Sequence, residues 1–128
     1  MQENYLFEYA VIRIVPRVER EEFLNVGVVL YCAKKKFLQA MFELDKERLK
    51  AFCGTIAIPE VEENLMAFDR ICAGGEGAGP IGQLDIASRF RWLTATRSTV
   101  LQTSRVHPGF CKDPREALLR LYGQLVLN

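Results

Sequence analysis

The chain has 128 residues, of which 49% are hydrophobic and 26% are charged, and its 17 basic and 16 acidic residues leave a formal net charge of +1. These values predict one globular domain, residues 1–128, and exclude disordered, collagen-like and coiled-coil chains. The near-balanced charge argues against a dedicated binder of duplex nucleic acid. No apolar run approaches the roughly 20 residues that cross a bilayer, and no secretory signal begins the chain, so we expect a cytoplasmic protein that does not enter a membrane.

Three antiparallel strands are predicted in the first third of the chain. Tyr5 to Val15 is rich in aromatic and β-branched residues, which favours a strand. A charged connection leads to a second strand at residues 24–33, where Gly27 predicts a bulge or a close approach of a neighbouring backbone. Lys34 to Lys36 form the tip of a hairpin, and a third strand runs from Phe37 to Leu44.

Helices follow these strands. Asp45 is a good N-cap for a short helix that ends near Gly54. A longer amphipathic helix begins at Pro59 and ends where the glycine-rich segment begins. That segment, GGEGAGPIG at residues 74–82, predicts a surface loop. It is not typical of a phosphate-binding loop, because it follows a helix and lacks the lysine of that motif.

The last third of the chain predicts the remaining elements. Residues 86–93 fit two helical turns, residues 98–103 fit a strand, and His107 to Gly109 fits a turn. Asp113 and Pro114 are typical of the start of a closing helix. Strands, then helices, then a late strand and a last helix indicate a compact α+β fold. We expect an antiparallel sheet of about four strands with three to four helices packed on it.

Cysteine spacing gives no indication of a metal or a redox centre. The chain has four cysteines, and none of them stands in a C-x-x-C pair. Without a secretory signal, we expect these thiols to be reduced, and most of them to be buried as small hydrophobic groups. We therefore expect no structural zinc, no other metal and no cofactor.

An arginine-rich segment is the first candidate site. No acidic residue lies between Asp85 and Asp113, although five basic residues do. Guanidinium groups bind phosphates and carboxylates through paired hydrogen bonds, and tryptophan can stack on a base. If residues 9–31 and 89–114 meet in space, we predict an anion site for a phosphate-bearing small molecule or a short single-stranded nucleic acid. Its residues would be Arg13, Arg17, Arg89, Trp92, Arg97, Ser98 and Gln102.

The same arginines also permit a purely structural interpretation. In that interpretation Arg13 pairs with Glu8 across the sheet, and Arg17 and Arg20 pair with Glu19, Glu21 and Glu22 on the surface. Surface ion pairs of this kind are worth about 0 to 1 kcal/mol.

A second candidate site is catalytic. Cys111, His107 and Asp113 are the residue types of a Cys/His-dependent hydrolase or transferase, in which histidine activates the thiol and a carboxylate orients the histidine. Cysteine hydrolases usually bring these groups together from distant positions, however, and Asp113 is already a predicted helix cap. We therefore treat an enzyme as the alternative and a binding domain as the main hypothesis.

A third hypothesis needs no chemical site. Phe7, Tyr9, Trp92 and Phe110 would provide aromatic anchors for a protein partner if the sheet has an exposed edge or face. The alternative is that each of these side chains fills the core.

Two blocks of the sequence resemble a known family. YAVIRIVPRVEREEFLNVGVVLY and RFRWLTATRSTVLQTSRVHPGFCKDP are similar to blocks of a bacterial family of small stand-alone proteins classified only as a domain of unknown function. The resemblance implies a cytoplasmic bacterial protein and no established activity, cofactor or catalytic residue. It also implies that related genes lie beside genes for HipA-like kinases, which makes such a kinase a candidate protein partner.

Overall fold

An antiparallel sheet of five strands forms the centre of this computed structural model, which describes residues 4–16, 22–95, 97 and 99–127. The strands are β1 (Tyr5–Ile14), β2 (Leu24–Cys32), β3 (Phe37–Phe42), β4 (Leu101–Thr103) and β5 (His107–Cys111). The helices are α1 (Lys46–Phe52), α2 (Ile58–Ala73), α3 (Gly79–Gly82), α4 (Ile86–Leu93) and α5 (Pro114–Tyr122). The predicted α+β fold with an antiparallel sheet is confirmed.

The strands are ordered β3-β2-β1-β4, and β5 pairs with β1 on the same side as β4. Strand β4 covers the end of β1 at Ile12–Ile14, and β5 covers its beginning at Tyr5–Tyr9. Ser104 joins the two, because its Oγ accepts a hydrogen bond from the Val11 N–H at 2.9 Å and its own N–H donates to the Val11 carbonyl at 2.8 Å. One edge of β1 is therefore covered almost continuously.

Helices cover both faces of the sheet. Strand β2 shows this most clearly, because its residues from Val26 to Cys32 are all buried. Val29 and Tyr31 belong to a core formed with α1, α2 and α4, whereas Val28, Leu30 and Cys32 belong to a second core formed with α5. The sequence of a strand that is buried on both faces is typically a continuous apolar run, and β2 has this pattern.

Gly27 lies where β2 changes register. The partners of β1 pass from Gly27 opposite Ile12 directly to Asn25 opposite Arg13, so Val26 is an extra residue. A Cβ on Gly27 would lie 2.6 Å from the Met41 carbonyl oxygen of β3. The prediction of a bulge or a close backbone approach at this glycine is confirmed by both features.

Two predicted elements were wrong in type. Residues 74–82 contain a 3₁₀ turn, Glu76–Ala78, and the short helix α3, because the Gly75 N–H donates to the Gly82 carbonyl at 3.0 Å and closes the segment on itself. His107 to Gly109 belongs to β5 and is not a turn. Pro108 is tolerated there because β5 is an edge strand, and Gly109 leaves room for the Phe7 ring.

The predicted strand at residues 98–103 is shorter than expected, since β4 spans only Leu101–Thr103, and residue 98 lies outside the described ranges. A π-helical turn, Gly123–Leu127, follows α5. Within the described ranges, every helix is too short or too polar to cross a lipid bilayer.

Candidate functional site

Arg89 is the first of the basic residues in the arginine-rich segment, and it holds the end of a helix. Its Nη1 donates to the carbonyls of Ile71 and Cys72 at 2.8 and 2.7 Å, and its Nε donates to the Leu84 carbonyl at 3.1 Å. These carbonyls belong to the last turn of α2 and to the segment before α4, so the guanidinium satisfies acceptors that the helix leaves open. Its Nη1 and Nε donors already face protein oxygens, and the structure does not bring it to the other predicted ligand-binding residues.

Arg91 forms an ion pair with Glu8, with a shortest nitrogen–oxygen distance of 2.9 Å. The predicted pairing of Glu8 with Arg13 is wrong. Glu8 and Arg13 are five positions apart on β1, and side chains alternate between the faces of a strand, so these two point to opposite faces of the sheet.

Arg97 and Trp92 are brought together at the end of α4. The Arg97 Cζ lies 3.9 Å from the centroid of the Trp92 ring, and the Arg97 Nη2 donates to the Trp92 carbonyl. Stacking on an indole and a backbone hydrogen bond together hold the guanidinium plane in one orientation. Partial burial lowers the pKa of Arg97, yet an arginine remains protonated in proteins.

A cavity of about 330 Å³ opens beside this pair, between α2, α4 and β4. We call it the Arg97 cavity. Its lining comprises Asn64, Ala67, Phe68, Ile71, Trp92, Leu93, Arg97, Thr99 and Leu101. The four residues from α2 stand at i, i+3, i+4 and i+7, which is one face of a helix.

The lining of the Arg97 cavity is mostly apolar and carries positive charge. Arg97 is the one charged side chain among the described residues that line it, and no described carboxylate shares the lining. Asn64 and Thr99 add neutral polar groups. Ligand sites are typically cavities of about 300 to 1,000 Å³ with apolar walls and a few polar groups, so this cavity has the size and composition of a small-ligand site.

Of the other predicted ligand-binding residues, Gln102 lies beside the Arg97 cavity. It shares a small adjoining cavity with Arg97 and Phe68, and its Nε2 donates to the Thr99 carbonyl at 2.6 Å. Arg13 stands opposite Gln102 on β1. Arg13 lies over the ring of Phe23, with its Cζ 4.0 Å from the ring centroid. Arg17 and Ser98 lie outside the described residues.

Sequence reasoning missed the contribution of α2 to the site. Phe68 is recognisable as a core residue from the amphipathic pattern, but Asn64 and Ala67 lie beside that apolar stripe and give no signal of their own. Their role follows only from the packing of α2 against α4 and β4, which leaves space where Ala67 has a small side chain.

The catalytic residues predicted from sequence are not assembled. His107 and Cys111 are four positions apart on β5, which separates their Cα atoms by roughly 13 Å. The Phe7 ring lies between them, against Gly109, and His107 instead packs against the Tyr9 ring at 5.4 Å between centroids.

The chemistry of Cys111 also differs from that of a nucleophile. Burial raises the pKa of its thiol, and Cys32 and Asp113 raise it further. An activated cysteine needs a lowered pKa, and the positive charge of Arg120 lowers the pKa of Cys111 by less than these effects raise it. Asp113 caps α5 as predicted, since its Oδ1 accepts a hydrogen bond from the Arg115 N–H at 3.1 Å.

The described residues present no group of three or more His, Cys, Asp or Glu side chains placed to hold a metal ion. All four cysteines are described, and no disulfide joins them. Cys32, Cys72 and Cys111 are buried, whereas Cys53 is partly exposed.

Exposed apolar side chains gather at the β5 edge. Phe110 is 69% exposed and stands opposite Leu6, which is 52% exposed, and Phe110 shares a cavity of about 560 Å³ with the exposed Leu119. We call Leu6, Phe110 and Leu119 the edge patch. Of the other predicted aromatic anchors, Phe7 is buried in the core and Tyr9 is half-buried, whereas Trp92 is 39% exposed.

Comparison of the chain with curated proteins finds no match, and neither does comparison with solved structures. One protein-family model does match, over residues 9–126. This range includes β1 from Tyr9 onward, the strands β2 to β5, the Arg97 cavity and α5. The chain therefore belongs to the family described as protein of unknown function (DUF3037).

Proposed function

We propose that the chain is a ligand-binding domain that holds a small anionic molecule in the Arg97 cavity. The observation that carries this proposal is the Arg97 guanidinium, which lies over Trp92 and is the one charged group among the described residues of an otherwise apolar lining. A buried or partly buried positive charge without a carboxylate partner favours an anionic ligand.

The donors of Arg97 support this role. A guanidinium has five N–H donors, and within the described residues its one hydrogen bond goes to the Trp92 carbonyl. The contact with the indole holds the remaining donors in place, so an anion would meet a group that is already oriented. Preorganisation of this kind improves affinity by reducing the entropy lost on binding.

The size and charge of the cavity favour a small molecule over a nucleic acid strand. Proteins that bind single strands use a positive groove that follows the backbone, with several aromatic platforms. Here the basic residues of the segment are dispersed, since Arg89 caps α2 and Arg91 pairs with Glu8.

The proposal is tested through Trp92, which is the only tryptophan of the chain. Its fluorescence would be titrated with inorganic phosphate, AMP, 2-phenylethyl phosphate and 3-phenylpropanoate, and binding would be verified by calorimetry. We expect at least one of these anions to saturate, with affinity at least tenfold lower in Arg97→Gln. The matched control is Arg105→Gln, which removes an exposed positive charge from the same segment.

Arg97 also contacts the last turn of α4, so a purely structural role must be separated from binding. Arg97→Lys keeps the charge but loses the planar fork. If binding in Arg97→Gln equals wild-type binding while its thermal stability falls, Arg97 is a helix cap and the proposal is wrong. The proposal is also wrong if none of the four anions saturates.

A second candidate function is docking of a protein through the edge patch. Phe110 and Leu6 are adjacent, large and more than half exposed, which is typical of anchors in a protein interface. In this proposal the chain is a bacterial cytoplasmic accessory protein, and the partner is the HipA-like kinase that the sequence resemblance implies.

The docking proposal is tested by co-expression with the HipA-like kinase of the same genome, followed by size-exclusion chromatography. We expect a stable complex that Phe110→Ser weakens at least tenfold. Met66→Ser is the matched control, because Met66 is also a large apolar side chain that is more than half exposed, but it lies on α2. Equal co-elution of both variants, or no complex with the wild-type chain, would contradict this function.

A further inference from the structure

We infer that the ligand of the Arg97 cavity is a monocarboxylate with a small apolar body, rather than a phosphate ester. This inference rests on the proposed function and narrows it to one class of ligand. Three features of the cavity lead to it: its single positive charge, the helix end that faces it, and its apolar walls.

The charge of the lining matches one negative charge. Arg97 is the one charged residue among the described residues that line the cavity. A carboxylate carries a single charge and fits the guanidinium fork with two parallel hydrogen bonds. A phosphate monoester carries about −1.5 to −2 at pH 7, so part of its charge would be desolvated beside apolar walls without a partner.

The helix that borders the cavity presents its C-terminal end. Trp92 and Leu93 are the last residues of α4, and both line the cavity. Helix C-termini carry partial negative charge, whereas phosphate sites typically use the positive N-terminus and its free N–H groups. The residues from α2 come from the middle and the last turn of that helix, away from its N-terminus. Neither helix therefore offers the donor set that a dianion requires.

The walls of the cavity require an apolar ligand body. Six of its nine lining residues are apolar: Ala67, Phe68, Ile71, Trp92, Leu93 and Leu101. Phe68 and Leu93 are also core residues, so the walls are held in place by the core behind them. The volume of about 330 Å³ lies at the small end of the range of about 300 to 1,000 Å³ for ligand pockets, so the ligand body is small.

The experiment compares probes that share one body and differ in the head group. 3-Phenylpropanoate, 3-phenylpropanamide and 2-phenylethyl phosphate carry the same phenylethyl group, and acetate carries the carboxylate alone. Trp92 fluorescence and calorimetry would give each affinity for the wild-type chain at pH 7.5. We expect 3-phenylpropanoate to bind at least tenfold more tightly than each of the other three.

Two variants locate the probe. Ala67→Leu adds volume to the cavity and should weaken 3-phenylpropanoate binding at least tenfold. Ala73→Leu adds the same side chain at an exposed position of the same helix and should leave binding unchanged. Circular dichroism of both variants verifies that α2 is retained. The ranking of the four probes is measured on the wild-type chain and does not depend on the folding of either variant.

The outcomes separate this inference from the proposed function. If 2-phenylethyl phosphate binds more tightly than 3-phenylpropanoate and needs Arg97, the anion-binding function stands and the carboxylate inference is overturned. If the amide binds as well as the carboxylate, the charge of the ligand plays no part in binding. The anion-binding function and the carboxylate inference are then both overturned. If Ala67→Leu and Ala73→Leu bind 3-phenylpropanoate equally, the probe lies outside the cavity and the inference is again overturned.

Discussion

Ser104 and Val11 exchange two hydrogen bonds at the point where the edge of the sheet passes from β4 to β5. The Val11 N–H donates to the Ser104 hydroxyl oxygen at 2.9 Å, and the Ser104 N–H donates to the Val11 carbonyl at 2.8 Å. The hydroxyl also donates to the Arg105 carbonyl at 2.9 Å. The Ser104 hydroxyl thus takes the place of a backbone carbonyl as the acceptor for the Val11 N–H.

Ser104→Ala should lower the free energy of unfolding by about 1 to 3 kcal/mol, because it leaves the buried Val11 N–H without an acceptor. Urea denaturation followed by circular dichroism measures this loss. Thr55→Ala, which removes an exposed hydroxyl, should change the value by less than about 0.5 kcal/mol. Equal stability of the two variants would show that the hydroxyl is not needed at this break.

Arg89→Met should destabilise the fold by about 1 to 3 kcal/mol and leave ligand binding intact, because Arg89 holds carbonyls at the end of α2 and does not line the Arg97 cavity. Thermal unfolding and the Trp92 titration measure the two effects. Arg70→Met, at an exposed position in the same last turn, is the control. A loss of binding without a loss of stability would instead place Arg89 in the site.

Gly27→Ala should destabilise the fold by about 1 to 3 kcal/mol, because its Cβ would lie 2.6 Å from the Met41 carbonyl oxygen and 2.7 Å from the Phe42 Cβ. The strands β2 and β3 would have to separate locally. Gly77→Ala, where a Cβ meets no atom within 4 Å, should be neutral. Chemical denaturation of both variants tests the difference, and an unchanged midpoint for Gly27→Ala would contradict the close approach.

The buried thiol of Cys72 should make stability depend on pH. Burial, with a smaller contribution from Asp69, raises the pKa of Cys72 from 9.0 to about 12. Between these two pKa values the thiol is ionised in the unfolded chain and still protonated in the folded protein. The contribution of the protonated thiol to the free energy of unfolding is therefore fully present below pH 9 and is lost as pH rises. The loss amounts to about 1.4 kcal/mol for each pH unit.

Urea denaturation at pH 8 and pH 10 tests this dependence. The free energy of unfolding should fall more steeply with pH in the wild-type chain than in Cys72→Ala. Other groups titrate in the same way in both proteins, so the difference between the two slopes isolates Cys72. Parallel slopes would mean that the thiol ionises equally in both states.

Cys111 should react slowly with iodoacetamide at pH 7.5, because its thiol is buried and its pKa is raised. His107→Ala should leave that rate unchanged, since the two residues lie roughly 13 Å apart along β5. Peptide mass spectrometry after timed labelling measures the rate at each cysteine. A tenfold slower reaction of Cys111 in His107→Ala would restore the hydrolase or transferase alternative.

Local patterns in the sequence determined most of the elements. The strands β1 to β3, the capping residues Asp45 and Asp113, and the amphipathic helices α2 and α5 each depend on a few neighbouring residues. Hydrophobic periodicity and capping are local effects, so the sequence alone carries them. His107 to Gly109 failed as a predicted turn because its strand conformation depends on pairing with β1, about a hundred residues earlier.

The site was determined only in part by the sequence. The sequence singles out Arg97 and Trp92 by type, but a row of arginines does not reveal which carbonyl, carboxylate or ring each one meets. Tertiary packing decided that Arg89 caps a helix, that Arg91 pairs with Glu8 and that Arg97 lies beside a cavity lined by Asn64 and Ala67. The strand pairing decided that His107 and Cys111 remain apart. The two residues are close in sequence, but an extended strand places residues four positions apart at roughly 13 Å.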